Sequence, residues 1–228
     1  MNGGARRLIA IDGVDGSGKS MLADRLLGVL AQAGTPAALL RVDDFRRPIA
    51  WGRDARREAD VYYEDYYDLA LLDRGARAFL DGDPAFEIPV FDSRTERHQG
   101  QRTISFDGAP LALVEGVFAQ RVAAVREVAV VVYIETSRDE ARRRILTRDT
   151  ARGRTAADVT HRIDARYFPA QDRYLREHDP LGHVDALIVH ERVGAPALAR
   201  ADAGRIGEEL LAALGRVVGS FAPSGRVG

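Results

Sequence analysis

Five short apolar runs recur along the chain, at residues 8–11 (Leu-Ile-Ala-Ile), 37–42 (Ala-Ala-Leu-Leu-Arg-Val), 111–114 (Leu-Ala-Leu-Val), 128–134 (Val-Ala-Val-Val-Val-Tyr-Ile) and 184–189 (Val-Asp-Ala-Leu-Ile-Val). Runs with so little polar alternation are those of strands buried on both faces, as in a parallel sheet. The intervals between them carry helical spacing instead. Leu22, Leu26, Leu27 and Leu30 share one helix face, and Gly34-Thr35-Pro36 stops that helix. Residues 49–60 are charged and irregular. Tyr62, Tyr63, Tyr66 and Tyr67 then open a helix that continues through Leu69, Leu71, Leu72 and Phe79 and stops at Asp81-Gly82-Asp83-Pro84. Residues 86–106 read as a hairpin-like excursion outside the main sheet. A capping pattern at 136–140 starts the next helix, a long helical stretch covers 156–178, and a last helix covers 202–218. Strands alternating with helices predict a three-layer α/β fold around a five-stranded parallel sheet.

The turn between the first run and the first helix reads Gly13-Val14-Asp15-Gly16-Ser17-Gly18-Lys19-Ser20 and matches the phosphate-binding pattern G-x-x-x-x-G-K-[ST] throughout. Its glycines allow a tight turn whose N–H groups converge on phosphate oxygens, and the helix that follows adds its positive dipole end. Lys19 supplies a point charge to the β- and γ-phosphates, and the Ser20 hydroxyl is a ligand for Mg²⁺. The chain has 33 Lys+Arg, of which Lys19 is the only lysine. A compact ammonium therefore stands at the one position where a planar guanidinium is no substitute. Gly13, Asp15, Gly16, Ser17, Gly18, Lys19, Ser20 and Met21 form the expected nucleotide-binding set. The architecture is then a P-loop NTPase fold, expected as a single kinase domain over 1–219 with a disordered tail at 220–228.

Two further carboxylate sites fall at strand ends, where ligands of parallel sheets bind. Asp43-Asp44 follows the second run and offers a base to deprotonate an acceptor hydroxyl; a helix cap or turn is the plain alternative. Glu115 follows the third run, placed to hold Mg²⁺ directly or through water. Arg144 and Arg148 share a helix face, and Arg152 and Arg154 flank Gly153 in a segment read as an arginine-bearing lid. A guanine-reading N-K-x-D signature is excluded, because the sole lysine lies in the loop.

Charge and composition narrow the partners. With 33 Lys+Arg against 34 Asp+Glu, the net charge of −1 provides no broad basic field for nucleic acid or an anionic membrane. The absence of cysteine excludes disulfides and thiol chemistry. No signal-peptide pattern precedes the first strand, and the longest apolar run is too short to span a bilayer, so a cytoplasmic protein acting on a small molecule is expected. A homo-oligomer is compatible with the sequence.

The order Gly13 to Ser20, Asp43-Asp44-Phe45, Pro89-Val90-Phe91-Asp92, Val114-Glu115-Gly116 and Arg148-Asp149 followed by Arg152-Gly153-Arg154 resembles the uridine kinase family. That family belongs with phosphoribulokinase and pantothenate kinase among the P-loop small-molecule kinases. The likeness runs from about residue 8 to 189, and the stretches 62–68 and 166–171 look like an actinobacterial uridine-kinase-like branch. The resemblance implies ATP and Mg²⁺ as cofactors, with Asp43 as catalytic base and Glu115 assisting the metal. Lys19, Arg152 and Arg154 join Asp43 at the catalytic centre, and Arg148 belongs to the lid and active site. In that family a carboxylate contacts the ribose and a tyrosine and a histidine read the pyrimidine. The best-matching positions here are Tyr62, Phe91 and Glu96, and Arg144 completes the expected substrate side. The implied activity is transfer of a γ-phosphoryl group to the 5′-hydroxyl of uridine or cytidine. A kinase of another small alcohol and a non-catalytic ATP-binding switch are the alternatives.

Overall fold

The computed structural model describes residues 6–51, 57–191 and 195–221. Strand β1 (Arg7–Gly13) leads through the phosphate-loop sequence into helix α1 (Lys19–Gln32), and β2 (Ala37–Arg41) follows. Helices α2 (Glu58–Glu64) and α3 (Leu69–Asp81) come next, then a hairpin of β3 (Ala85–Asp92) and β4 (Arg97–Ser105). The sheet resumes with β5 (Leu111–Glu115), a short α4 (Ala123–Val128) and β6 (Val130–Glu135). Helices α5 (Arg138–Ala151), α6 (Ala156–Arg162) and α7 (Phe168–His178) precede β7 (Ala186–Val189), and a π turn at Ile163–Tyr167 joins the last two helices of that group. The described chain closes with β8 (Ala197–Ala201), α8 (Ala203–Ile206) and α9 (Glu208–Gly219).

The sheet order is β2-β5-β1-β6-β7-β8. The five expected strands are parallel, and β8 is an additional antiparallel edge strand paired to β7. Its Ala-Leu-Ala-Arg-Ala sequence has no β-branched residue, so no strand signal marked it. Period-2 alternation sends Leu8 and Ala10 to one core and Ile9 and Ile11 to the other. The first core meets Phe79 of α3, Val125 of α4 and Tyr174 of α7; the second meets Leu26 of α1 and Leu214 of α9. Burial on both faces is why these strands read as continuous apolar runs.

Several expected elements are revised. The helix read from Tyr62 through Phe79 is broken at residues 65–68. There the backbone pairs with the segment after β2 instead: Asp68 N–H donates to Phe45 O at 2.7 Å, and Arg47 N–H donates to Tyr66 O at 2.9 Å. These contacts replace helix continuation and set Tyr67 beside residue 43. Residues 42–45 form a 3₁₀ turn and not a strand end. Val128 ends α4 and is exposed, so β6 starts two residues later than the apolar run. The last helix is split at Gly207. Ser220 and Phe221, read as tail, are described, with Phe221 buried beneath the Arg25 guanidinium; residues 222–228 lie outside the described residues. Among the described residues no helix is long and apolar enough to cross a membrane.

The break between α2 and α3 is capped by Asp68, which accepts the Leu71 N–H at 2.9 Å and pairs with Arg47 at 3.0 Å. Asp68→Ala should lower the unfolding free energy by about 1 kcal/mol, read from the urea midpoint at unchanged slope. An unchanged midpoint would show that the cap contributes nothing there.

Candidate active site

The C-terminal ends of β1, β5 and β2 meet in adjacent register, with Ile11 beside Glu115 and Glu115 beside Arg41. The loop that leaves β1 is packed against neighbouring backbone too closely for side chains at two points. A Cβ at Gly13 would lie 2.5 Å from Ile134 O, and one at Gly16, where φ is +79°, would lie 2.7 Å from Ala141 O. Arg144 on α5 ties the loop down from behind, donating to Gly16 O at 3.3 Å, Ser17 O at 3.2 Å and His190 O at 2.8 Å, with Glu140 as its counter-ion at 2.7 Å. His190 Nδ1 meets the same Ser17 carbonyl at 2.8 Å. Lys19 is buried and its Nζ donates to Val14 O at 2.8 Å.

A cavity of about 320 Å³ opens in front of this loop. Asp15, Gly16, Gly18, Lys19, Ser20 and Met21 form its floor, Glu115 and Asp43 one wall, and Arg144, Arg148 and Arg152 the α5 side. Period-2 alternation along β5 puts Glu115 on the α1 face, where it accepts the Ser20 hydroxyl at 3.1 Å and pairs with Arg41 at 3.3 Å. Burial raises the Glu115 carboxyl above its ordinary range, against the pull of Lys19. A hydroxyl and a carboxylate are hard oxygen donors of the kind Mg²⁺ takes alongside phosphate oxygens and water.

Asp43 is exposed toward the cavity and accepts the Tyr67 hydroxyl at 3.0 Å. Asp44, one step around the 3₁₀ turn, pairs with Arg102 of the hairpin at 2.5 Å. Arg148 donates to Asp149 at 2.7 Å while facing Asp15. Arg152 reaches the cavity; Arg154 does not line it and is held by Asp149 at 3.5 Å and Asp158 at 3.7 Å.

The residues assigned to the acceptor are less gathered. Tyr62 is 2% exposed and its hydroxyl donates to Asp15 Oδ2 at 3.0 Å, beneath the loop. Phe91 lies on β3 with the Arg46 guanidinium 4.7 Å over its ring. Glu96 is exposed at the β3–β4 turn with φ +53°, away from the cavity. Three polar residues that the motifs did not flag join the site. Asp12, fully buried, accepts Gly13 N–H at 2.7 Å, Gln120 N–H at 3.3 Å and the Tyr174 hydroxyl at 2.5 Å, and burial raises its carboxyl. Gln171 donates to Asp15 at 2.7 Å, and Tyr67 holds Asp43. Only Asp12 had a legible signal: a carboxylate closing an apolar strand on the same face as Leu8 and Ala10.

Comparison with known proteins fits this geometry. The family model described as Phosphoribulokinase / Uridine kinase family matches residues 8–187. A Bacillus stearothermophilus structure described as a possible uridine kinase is 24% identical, with TM-score 0.63 over 81% of this chain and 89% of that one. Phosphoribulokinase from Rhodobacter spheroides is 14% identical, with TM-score 0.54 over 81% of this chain and 70% of that one. At such identities the structures bear on fold. No curated protein matches the chain.

The raised Glu115 carboxyl has a definite consequence. Its folded form holds a proton more tightly than the unfolded chain does, so stability from this group is lost as pH rises above the ordinary 4.5. Glu115→Gln removes that loss. The variant's unfolding free energy relative to wild type should therefore increase between about pH 4 and pH 7, measured by urea unfolding of the unliganded protein. A relative decrease over that range would mean that the site favours the carboxylate.

Proposed function

The chain belongs to the phosphoribulokinase / uridine kinase family of P-loop small-molecule kinases, and from that premise we propose that it transfers the γ-phosphoryl group of ATP to a primary hydroxyl of uridine or cytidine. One observation carries the reading: the phosphate loop, the Ser20–Glu115 oxygen pair and the Asp43 carboxylate line a single cavity. Phosphoryl transfer to an alcohol needs these three parts and little else, since its catalysis is positioning and charge stabilisation.

Lys19 is placed to leave its Val14 carbonyl for the β- and γ-phosphates as a point charge. The Ser20 hydroxyl and Glu115 carboxylate would hold Mg²⁺, which when bound neutralises phosphate charge. Asp43 accepts the acceptor hydroxyl and takes its proton, so that the oxygen can form its bond to phosphorus. Arg148 and Arg152, on α5 and just past its end, bring positive charge over the transferring group as the segment around Gly153 closes. Phe91 offers an aromatic face for a base.

A second reading rests on Arg46. Among the described residues its buried Nε has no hydrogen-bond partner, NH1 reaches only the Tyr66 hydroxyl at 3.3 Å, and no carboxylate pairs with it. A guanidinium so placed near Asp43 favours an acceptor alcohol that carries an anionic group.

ADP release over a panel of uridine, cytidine, pantothenate and ribulose 5-phosphate separates the two. The first reading expects turnover of uridine and cytidine within about tenfold of each other, because neither Tyr62 nor Glu96 offers the cavity a group that would tell them apart. Asp43→Asn should then lower kcat by about 10²–10⁴ with ATP affinity unchanged. Phosphate formed on the anionic alcohols alone would replace it with the second reading, and ADP release that no acceptor stimulates would contradict both.

A further inference from the structure

Beneath the cavity, Asp43 and Asp15 are joined by two phenols. Tyr67 OH donates to Asp43 Oδ1 at 3.0 Å, Tyr62 OH donates to Asp15 Oδ2 at 3.0 Å, and the two hydroxyl oxygens are 3.3 Å apart. Both rings are buried, at 2% exposure for Tyr62 and 7% for Tyr67, so water does not complete the chain. The hydrogens can be counted. Three oxygen–oxygen links need three hydrogens, and two neutral phenols between two carboxylates supply two. The unfilled link is the middle one, which is also the longest. A third proton delivered to either carboxylate would fill it, with every hydroxyl turned the same way along the chain.

Catalysis produces such a proton. Resting on the reading of Asp43 as the base, we infer that Tyr67 and Tyr62 form a proton relay that lets Asp43 and Asp15 share the proton taken from the acceptor hydroxyl. As the acceptor oxygen uses its O–H electron pair to bond the γ-phosphorus, the P–O bond to ADP breaks with its pair on the leaving oxygen, and the proton passes to Asp43. Asp43 then donates to Tyr67, Tyr67 turns its hydrogen to Tyr62, and Tyr62 remains on Asp15. Shifting each hydrogen one link further leaves the proton on Asp15 and restores Asp43 as a carboxylate. No other reactant is needed.

The surroundings suit this division. Burial raises the proton affinity of Asp15, opposed by Lys19 and Arg148 and reinforced by Asp43, and Gln171 fixes its Oδ2 at 2.7 Å. Around the other end lie Arg46 and Glu115, and Tyr66 and Tyr167 flank the phenols. Burial raises the pH at which both relay phenols would ionise well above the ordinary phenol range, so they pass protons as neutral hydroxyls. The relay also explains the break between α2 and α3: a continuous helix could not deliver Tyr62 to Asp15 while holding Tyr67 on the 42–45 turn.

Tyr62→Phe tests the relay, because that hydroxyl touches Asp15 and Tyr67 but not Asp43. In protein with ¹³C-labelled aspartate carboxyls and no acceptor, the Asp43 carboxyl resonance at acid pH should differ between Tyr62→Phe and wild type, although Tyr62 does not touch Asp43. The cause is that Tyr67 then has no oxygen to turn to once Asp43 is protonated. In single-turnover phosphoryl transfer with uridine, or with the panel acceptor that is turned over, the variant should slow about tenfold. Its ATP affinity should stay within twofold, and the solvent-deuterium dependence should change from bowed in wild type to linear. An unchanged Asp43 resonance, or a wild-type rate with a linear dependence in both proteins, would overturn the relay. Asp43→Asn with wild-type turnover would instead overturn the base assignment, so the two failures are separable. A preserved far-UV spectrum checks that the variant is folded, and Tyr67→Phe, which cuts the same chain, should slow transfer at least as much.

Discussion

The buried Lys19 ammonium is the constraint around which the rest of the site is arranged. It sits 7% exposed, with a single backbone carbonyl as hydrogen-bond partner among the described residues, and its field lowers the proton affinity of Asp12, Asp15 and Glu115 while burial raises it. A charge in that position is costly unless opposite charge lies close. Three carboxylates around one cation supply it, each held by donors from a different part of the chain. Asp12 is held by Tyr174 of α7 and by Gln120, Asp15 by Tyr62 and Gln171, and Glu115 by Ser20 and Arg41. The phosphate loop is thereby tied to α7, α2 and β2 before any nucleotide binds.

That arrangement follows from simple periodicities. Alternation along β1 sends Asp12 toward α7, and alternation along β5 sends Glu115 toward α1. The 3₁₀ turn after β2 rotates successive residues by about 120°, short of a strand's full reversal, so Asp43 meets the cavity while Asp44 meets the hairpin at Arg102. A family of small-molecule kinases built on this plan can keep its phosphate chemistry and vary only the wall that faces the acceptor. Next to the 42–45 turn, the Arg46 guanidinium lies over Phe91, and the Trp51 and Tyr66 rings lie 5.8 Å apart.

Much of this was legible in the residues. The apolar runs marked all five parallel strands, most cleanly at β1, β5 and β6, where burial on both faces leaves no room for polar alternation. The Gly13–Ser20 pattern located the loop, and the carboxylates just after β2 and at the end of β5 located one wall of the cavity. What stayed hidden depends on tertiary contact. The helix break at 65–68 arises from backbone hydrogen bonds to residues 45 and 47, which no local propensity records. The role of Tyr62 rests on Asp15, 47 residues away, and that of Gln171 on the same carboxylate, 156 away. The edge strand β8 lacks β-branched residues and is a strand only because β7 offers it an open edge. Glu96 stands where a sequence match puts a base-reading residue, yet a positive-φ turn at the hairpin tip carries it away from the cavity.

Calorimetric titration of ATP with Mg²⁺ into Lys19→Ala beside wild type asks whether Lys19 is the phosphate-binding cation of an enzyme that transfers phosphoryl groups. The substitution takes away a buried positive charge that has no second lysine to replace it. ATP affinity should fall at least about tenfold, and any acceptor-dependent ADP release by about 10²–10³. Wild-type affinity and turnover in Lys19→Ala would place the nucleotide elsewhere and contradict the account.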